Sequence, residues 1–215
     1  MSTWGIIVAA GSGTRFGGAK QFSDLAGRPV IEWSVEAARS VADGIVVVVA
    51  NPQDERVLKL EVDKVVKGGA TRSGSVRSGL AAVPTDASII VVHDAARPLA
   101  SEELFQGVTR AVRGGAAGAV PGVPVVDTIK RIDSTSGAPV VVETVDRSSL
   151  VSVQTPQAFE AHALRSAHSE IPDASDDARL VEQLGERVVV VAGDPINVKV
   201  TVPLDLEIVR MWATR

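Results

Sequence analysis

Short runs of β-branched residues alternate with stretches of helical periodicity along the first half of the chain, and this alternation confines the fold more tightly than any other feature. Gly5 to Ala10 and Ile45 to Ala50 are continuous apolar runs, the second almost all valine, as expected of strands buried on both faces of a parallel sheet. Between them, Arg28 to Ala38 places apolar residues 30, 31, 35 and 38 on one helical face, with Pro29 suited to a first turn. The same reading predicts helices near Asp54 to Leu60, over Thr71 to Ala82 and over Ser101 to Arg113, and strands at Lys64 to Lys67 and Ile89 to His93. Strand then helix, repeated, implies an α/β fold with a doubly wound, mostly parallel sheet. Its core must rest on aliphatic side chains, because aromatics are only 3% of the 215 residues and Tyr is absent. That length suits a single domain, 1–215.

The alternation breaks after about residue 120. Pro121 and Pro124 precede Val125 to Ile132, which reads as an alternating strand, followed by a turn at Asp133 to Gly137 and a second strand at Val140 to Val145. Residues 124–150 therefore read as a protruding β-hairpin arm. An isolated two-stranded hairpin is marginal in water, so the arm needs a surface, and a second subunit is one candidate. Beyond it the pattern predicts helices near Ala158 to Ala167 and Asp176 to Leu184, a strand at Arg187 to Ala192, a short apolar strand at Ile196 to Thr201, and a helix from Leu204.

Lys and Arg number 22 against 26 Asp and Glu, a formal charge of −4, and no basic run tracks a phosphodiester backbone, which disfavours general nucleic-acid binding. With no Cys there is neither a disulfide nor a thiolate metal site, and the three His are scattered. The longest uncharged stretch, Gly114 to Val126, holds two Pro and falls short of the ~18 apolar residues of a membrane helix. The residues Met1 to Gly5 lack the basic region of a secretion signal, so a cytoplasmic setting is expected.

A glycine-rich loop, Gly11 to Gly18, follows the first strand. Bare amides there can approach an anion closely. The glycines at 11, 13 and 17 miss the dinucleotide spacing by one, and Ala19 stands where a P-loop needs Lys. What remains is a Gly loop carrying Arg15 and Lys20, a combination suited to a triphosphate; the alternative is a pair of solvated loop charges. Asp94 follows the strand Ile89 to His93, at the carboxyl edge where open sheets bind ligands, and one carboxylate there can hold Mg²⁺. Its alternative role is to cap the turn with Arg97 as ion-pair partner. Lys199 reads either as an edge-strand charge or as a further phosphate contact.

Seven segments in order, across nearly the whole chain, carry a resemblance: Ala9-Ala10-Gly11-Ser12-Gly13-Thr14-Arg15 with Lys20-Gln21, Gly68-Gly69-Ala70-Thr71-Arg72-Ser73-Gly74-Ser75-Val76, Val92-His93-Asp94-Ala95-Ala96-Arg97-Pro98, Asp127-Thr128-Ile129-Lys130, Thr144-Val145-Asp146-Arg147, Thr155-Pro156-Gln157 and Asn197-Val198-Lys199-Val200-Thr201. The chain resembles the 2-C-methyl-D-erythritol 4-phosphate cytidylyltransferases. The resemblance implies a nucleotidyltransferase of Rossmann-like fold that transfers CMP from CTP to methylerythritol phosphate, releasing pyrophosphate, in non-mevalonate isoprenoid biosynthesis. It implies that Arg15, Lys20 and Lys199 neutralise the triphosphate and that Asp94 holds Mg²⁺. Gly11, Gly13, Gly68, Gly69 and Ser75 would hold the nucleotide, with Ala9, Ala10 and Ala95 near the ribose. Arg97, Thr128, Arg147 and Thr155 would bind the acceptor, with the arm reaching into the neighbour's site of a homodimer; Arg147 paired on the surface with Asp146 is the alternative for that residue. The sequence departs from the family pattern at Ala19, where Pro is usual, at Ala70, where Asp is frequent, and at Ser175-Asp176-Asp177, where Thr-Asp-Glu is common and a hydroxyl is kept at Ser175. The segment His93 to Pro98 also resembles ribitol 5-phosphate cytidylyltransferases, which differ in acceptor. A nucleotide-binding regulator without turnover is a third reading, opposed by the presence of every charged group the chemistry needs.

Overall fold

The computed structural model describes residues 1–135, 137–170, 173–174 and 176–214. The alternation expected in the first half is present: β1 (Thr3–Ala9), a short pair β2 (Asp24–Leu25) and β3 (Arg28–Pro29), α1 (Val30–Arg39), β4 (Gly44–Val49), α2 (Glu55–Leu58), β5 (Lys64–Lys67), α3 (Arg72–Ala82), β6 (Ile89–Asp94) and α4 (Glu102–Arg113). The helices predicted from Asp54, Thr71, Ser101 and Asp176 each start one residue late because that first residue is a cap. Thr71 accepts from the amide of Gly74 at 3.0 Å and Ser101 from that of Leu104 at 3.4 Å, satisfying donors that the first helical turn leaves free. Pro29 likewise stands just ahead of α1 rather than inside it.

The second half comprises β7 (Gly118–Pro124), β8 (Ile129–Asp133), β9 (Val140–Val145), β10 (Val151–Val153), β11 (Gln157–Glu160), α5 (Ala161–Glu170), α6 (Asp177–Gln183), β12 (Val188–Ala192) and α7 (Pro203–Ala213). Eight strands form one sheet in the order β10-β7-β11-β6-β1-β4-β5, with β12 also pairing β7. Strands β6, β1, β4 and β5 are parallel, β12 is parallel to β7, and β11 runs antiparallel between β6 and β7.

Why the valine runs show no alternation is visible in the packing. Ile6, Val46, Val48 and Val92 face α3, α5 and α6, where they meet Val76, Leu80, Leu164 and Leu180. Their neighbours Ile7, Val47, Val49 and Val91 face α1 and α4, against Ile31, Val35, Phe105 and Val108. Successive side chains point to opposite faces and both faces are covered, so every position is apolar. Each such side chain contributes about 1.5–3 kcal/mol on burial. Gly79 lets α3 lie close on β1, since a Cβ there would come within 2.6 Å of the Ile6 side chain.

Four expectations for this half need correction. Gly118 to Pro124, where the sequence predicts no element, is a sheet strand; Pro121 is tolerated because the strand's flank changes partner there, from β11 at Ala119 to β10 at Gly122. The strand expected over Val125 to Ile132 begins only at Ile129. The helix expected from Ala158 starts at Ala161, because Gln157 to Glu160 hydrogen-bond β6 as a strand, and pairing across the sheet outweighs the helical preference of alanine. Residues Ile196 to Thr201 form no strand. Val200 is held instead by its amide donating to the Ala96 carbonyl at 2.7 Å.

Among the described residues strands β8 and β9 pair only with each other, as the hairpin reading expects, and Val140 is 58% exposed. Its neighbours Val141 and Val142 are exposed too. The turn expected at Asp133 to Gly137 includes Ser136, which lies outside the described residues.

Candidate active site

Three loops leave the carboxyl edge of β1, β5 and β6 on the same side of the sheet. The first turns about Gly13, whose carbonyl accepts from the amides of Phe16 and Gly17, both at 2.9 Å, and whose φ of +66° puts it in the left-handed region. A side chain there would also collide with the Gly18 carbonyl, so the turn demands glycine. At the loop's end a single 3₁₀ turn carries Lys20, and its Nζ donates to the Val200 carbonyl at 2.7 Å, tying the Gly loop to the segment before α7. The second loop starts at Gly68, whose amide donates to the Val49 carbonyl at 2.8 Å. A Cβ on Gly68 would collide with that of Ala10 and lie 2.9 Å from Ser75 Oγ, so the two loops approach closely only because residue 68 has no side chain. The third loop begins with Asp94.

These loops surround a cavity of about 440 Å³. Arg15, Lys20, Asp94 and Lys199 all line it, together with Ala9, Ala10, Gly11, Gly13, Gly69, Ser75 and Ala95. Gly68 lies immediately behind the wall, against Ala10. Residues scattered over 190 positions of sequence thus share one cavity, and among the described residues four cations line it, Arg72 being the fourth, against the single carboxylate of Asp94.

That carboxylate is ion-paired on both oxygens, with Lys199 Nζ at 2.6 Å and Arg72 Nε at 3.1 Å. Burial would push the Asp94 carboxyl up, but Arg72 and Lys199 overcome this and hold it well below the usual carboxylate range. Lys20 is shifted the other way: burial, then the charges of Lys199 and Arg15, pull its ammonium below the ordinary lysine value, against weaker support from Asp94 and Asp205. Cations that repel one another around a common space define a site for a polyanion. Arg97, named as a possible partner of Asp94, does not pair with it; its guanidinium donates to the Asn197 carbonyl at 2.7 Å, outside the cavity lining.

Thr155 is buried beneath Asp94. Its hydroxyl accepts from the Asp94 amide at 3.1 Å and contacts His93 Nδ1 at 3.1 Å. His93 Nε2 lies 3.2 Å from the Arg97 carbonyl, which can only accept, so Nε2 carries the proton and Nδ1 accepts from Thr155. The Thr155 hydroxyl proton is therefore committed inward. Thr128 and Arg147 stand on the arm, away from this cavity; Arg147 donates to the Val126 carbonyl and is not paired with Asp146, whose oxygens cap the turn at Ser148. Ser175 lies outside the described residues.

Arg72 stands within one of the seven segments and Asp177 within Ser175-Asp176-Asp177, yet the sequence assigns neither a role, and His168 belongs to no motif. Arg72 Nη1 meets Asp177 Oδ2 at 2.7 Å, and His168 Nε2 meets Asp177 Oδ1 at 3.0 Å. For Arg72 the signal is physical: a cation in the first turn of a helix opposes the helix dipole and so calls for another reason to be there.

A divalent cation fits this site in one way. Among the described residues no three His, Asp or Glu side chains cluster as a metal cage. Asp94 by itself offers one ionised carboxylate with lone pairs beyond those used by Arg72 and Lys199, which suits Mg²⁺ that draws its other ligands from phosphate and water.

A glycine loop, converging cations and one carboxylate at the carboxyl edge of a doubly wound sheet define a nucleotidyltransferase. Residues 4–215 match the family model for 2-C-methyl-D-erythritol 4-phosphate cytidylyltransferase. The chain is 45% identical over 211 residues, covering 94% of it and 90% of its relative, to the 2-C-methyl-D-erythritol 4-phosphate cytidylyltransferase of Nocardia farcinica. The crystal structure of the enzyme of that name from Thermus thermophilus superposes with a TM-score of 0.80 at 32% identity, covering 98% of each chain. The 4-diphosphocytidyl-2C-methyl-D-erythritol synthase of Anaerococcus prevotii gives 0.84 at 29% identity, over 100% of this chain and 99% of that one. The chain belongs to the 2-C-methyl-D-erythritol 4-phosphate cytidylyltransferase family, and it is an enzyme.

Proposed function

We propose that the cavity holds CTP and that its cytidylyl group passes to the phosphate of 2-C-methyl-D-erythritol 4-phosphate, with release of pyrophosphate, as a step of isoprenoid biosynthesis. The observation that carries this reading is the convergence of Arg15, Lys20, Lys199 and Arg72 with Asp94 on one cavity beside the Gly loop. An acceptor oxygen attacks the α-phosphorus, the bond to the bridging oxygen of the β-phosphate breaks, and pyrophosphate departs with that electron pair. The acceptor is a phosphate monoester whose second pKa is ~6, so its nucleophilic oxygen is already ionised and no general base is required. Catalysis is then positioning and charge stabilisation. Lys20 and Arg15, on the loop under the triphosphate, neutralise charge that grows on the phosphorus and on the leaving group, with Lys199 assisting. Gly68, Gly69 and Ser75 accept the base through main-chain groups, since Ala70 offers no carboxylate, while Ala9, Ala10 and Ala95 leave room for the ribose. Asp94 would hold Mg²⁺, which when bound withdraws charge from the phosphate oxygens.

The acceptor's binding groups are Arg97 from this subunit and Thr128 and Arg147 from the arm of a second copy. The guanidinium of Arg147 offers a fork that matches phosphate. What supports a homodimer is the arm itself: exposed valines on a hairpin that, among the described residues, pairs with no other strand need cover. Thr155 contributes by holding the Asp94 amide. The enzyme works as a cytoplasmic protein; among the described residues no helix is long and apolar enough to cross a membrane. The deciding experiment is pyrophosphate release from CTP with methylerythritol phosphate and, separately, with ribitol 5-phosphate. Release with the first alone is expected; release only with the second, or with neither, overturns the reading.

A further inference from the structure

A line of charge runs from the cavity into the protein. Lys199 meets Asp94, Asp94 meets Arg72, Arg72 meets Asp177, and Asp177 meets His168, at 2.6, 3.1, 2.7 and 3.0 Å. Only the first three residues line the cavity. The Asp177 side chain is fully buried and that of His168 is 2% exposed.

Placing a carboxylate at such a depth costs several kcal/mol of lost hydration, and an apolar side chain would fill the space at no such cost. Two ordinary explanations fail. Asp177 is not needed to cap α6, because Asp176 does so, accepting from the Arg179 amide at 3.1 Å. Nor does Arg72 stabilise α3, since a cation at a helix start opposes the dipole and Thr71 already caps it. Among the described residues His168 Nδ1 has no partner, so the contact with Asp177 is the one hydrogen bond its ring makes.

What the arrangement achieves is geometric. The Arg72 guanidinium is planar, with Nε on Asp94 and Nη1 on Asp177, so its two contacts fix its plane. Without the inner carboxylate nothing would prevent it from swinging toward phosphate oxygens in the cavity and leaving Asp94. We propose that Asp177, oriented by His168, is a positioning residue of the reaction that anchors Arg72 from behind and thereby keeps Asp94 aimed at the nucleotide phosphates. The inference rests on reading the cavity as the CTP site.

Its test is a double-mutant cycle in the intact enzyme with CTP and methylerythritol phosphate. Asp177→Asn keeps the shape and removes the charge; a fall in kcat of about 10–100-fold is expected, as for other supporting partners of site carboxylates, with the KM for CTP moving less than about threefold. In an Arg72→Met background the same change should lower kcat by less than about twofold, because the group it acts through is already gone. A purely structural Asp177 would lower Tm while leaving kcat of the folded enzyme near wild type, or would multiply with Arg72→Met; either result overturns the proposal. Should Asp177→Asn fail to fold, Arg72→Lys decides, since it keeps the charge but cannot span both carboxylates: a tenfold or larger loss of kcat supports the anchor and a wild-type kcat refutes it. A wild-type enzyme without activity would instead sink the reading of the cavity, so the two failures are distinct.

Discussion

Lowering the pH should destabilise this protein through one side chain, His93. The imidazole is fully buried at the end of β6, and burial drives its pKa down to about 4, only partly opposed by the neighbouring Asp94 carboxylate, while Arg97 and Arg72 add to the depression. The free imidazole titrates near ~6.5, so between those values the unfolded chain binds a proton that the folded chain does not, and stability must fall as pH falls through this window. At about 1.4 kcal/mol per unit the loss is about 2 kcal/mol by pH 5, about 3 kcal/mol at pH 4, and levels off at about 3.5 kcal/mol below that. The same proton would turn Nδ1 from acceptor to donor and break its bond from Thr155, which holds the Asp94 amide. Urea unfolding at pH 7.5, 6 and 5 measures the effect, with His93→Gln as the reference. The variant is less stable at neutral pH but should lack this part of the pH slope. Parallel slopes for the two proteins would refute the reasoning.

Lys20→Ala should lower kcat by about 10²–10³-fold, the usual cost of one preorganised charge stabiliser, with CTP affinity changing only severalfold; single-turnover kinetics beside equilibrium CTP binding separate the two, and an unchanged rate removes Lys20 from the chemistry. Arg147→Ala should raise the acceptor KM and spare that for CTP, and mixing it with Lys20→Ala subunits should restore activity in dimers that combine one intact acceptor half with one intact CTP half. Failure of that mixing would discredit the shared site. Ala19 has a φ of −76°, close to that of proline, and its amide makes none of the backbone hydrogen bonds of the loop. Ala19→Pro should therefore stabilise the fold by about 0.4–1 kcal/mol in thermal or urea melts, and destabilisation would show that the ring clashes with the Gly loop.

Much of this molecule is legible one segment at a time. The valine runs, the caps at Thr71 and Ser101, and the Gly loop with Arg15 and Lys20 are local signals, because strand burial, helix initiation and tight turns are decided within a few residues of each other. The same holds for the motif order that identifies the family. Tertiary structure alone decided the rest. That Gln157 to Glu160 is a strand follows from β6 and β7 offering it partners, and that Pro121 sits in the sheet follows from a change of neighbour beside it. Nor does spacing along the chain reveal that Arg72 lies between Asp94 and Asp177, 105 residues apart from the latter, or that Arg97 leaves Asp94 for Asn197. Electrostatic partnership depends on distance in space and on burial, and neither quantity exists until the chain has closed on itself.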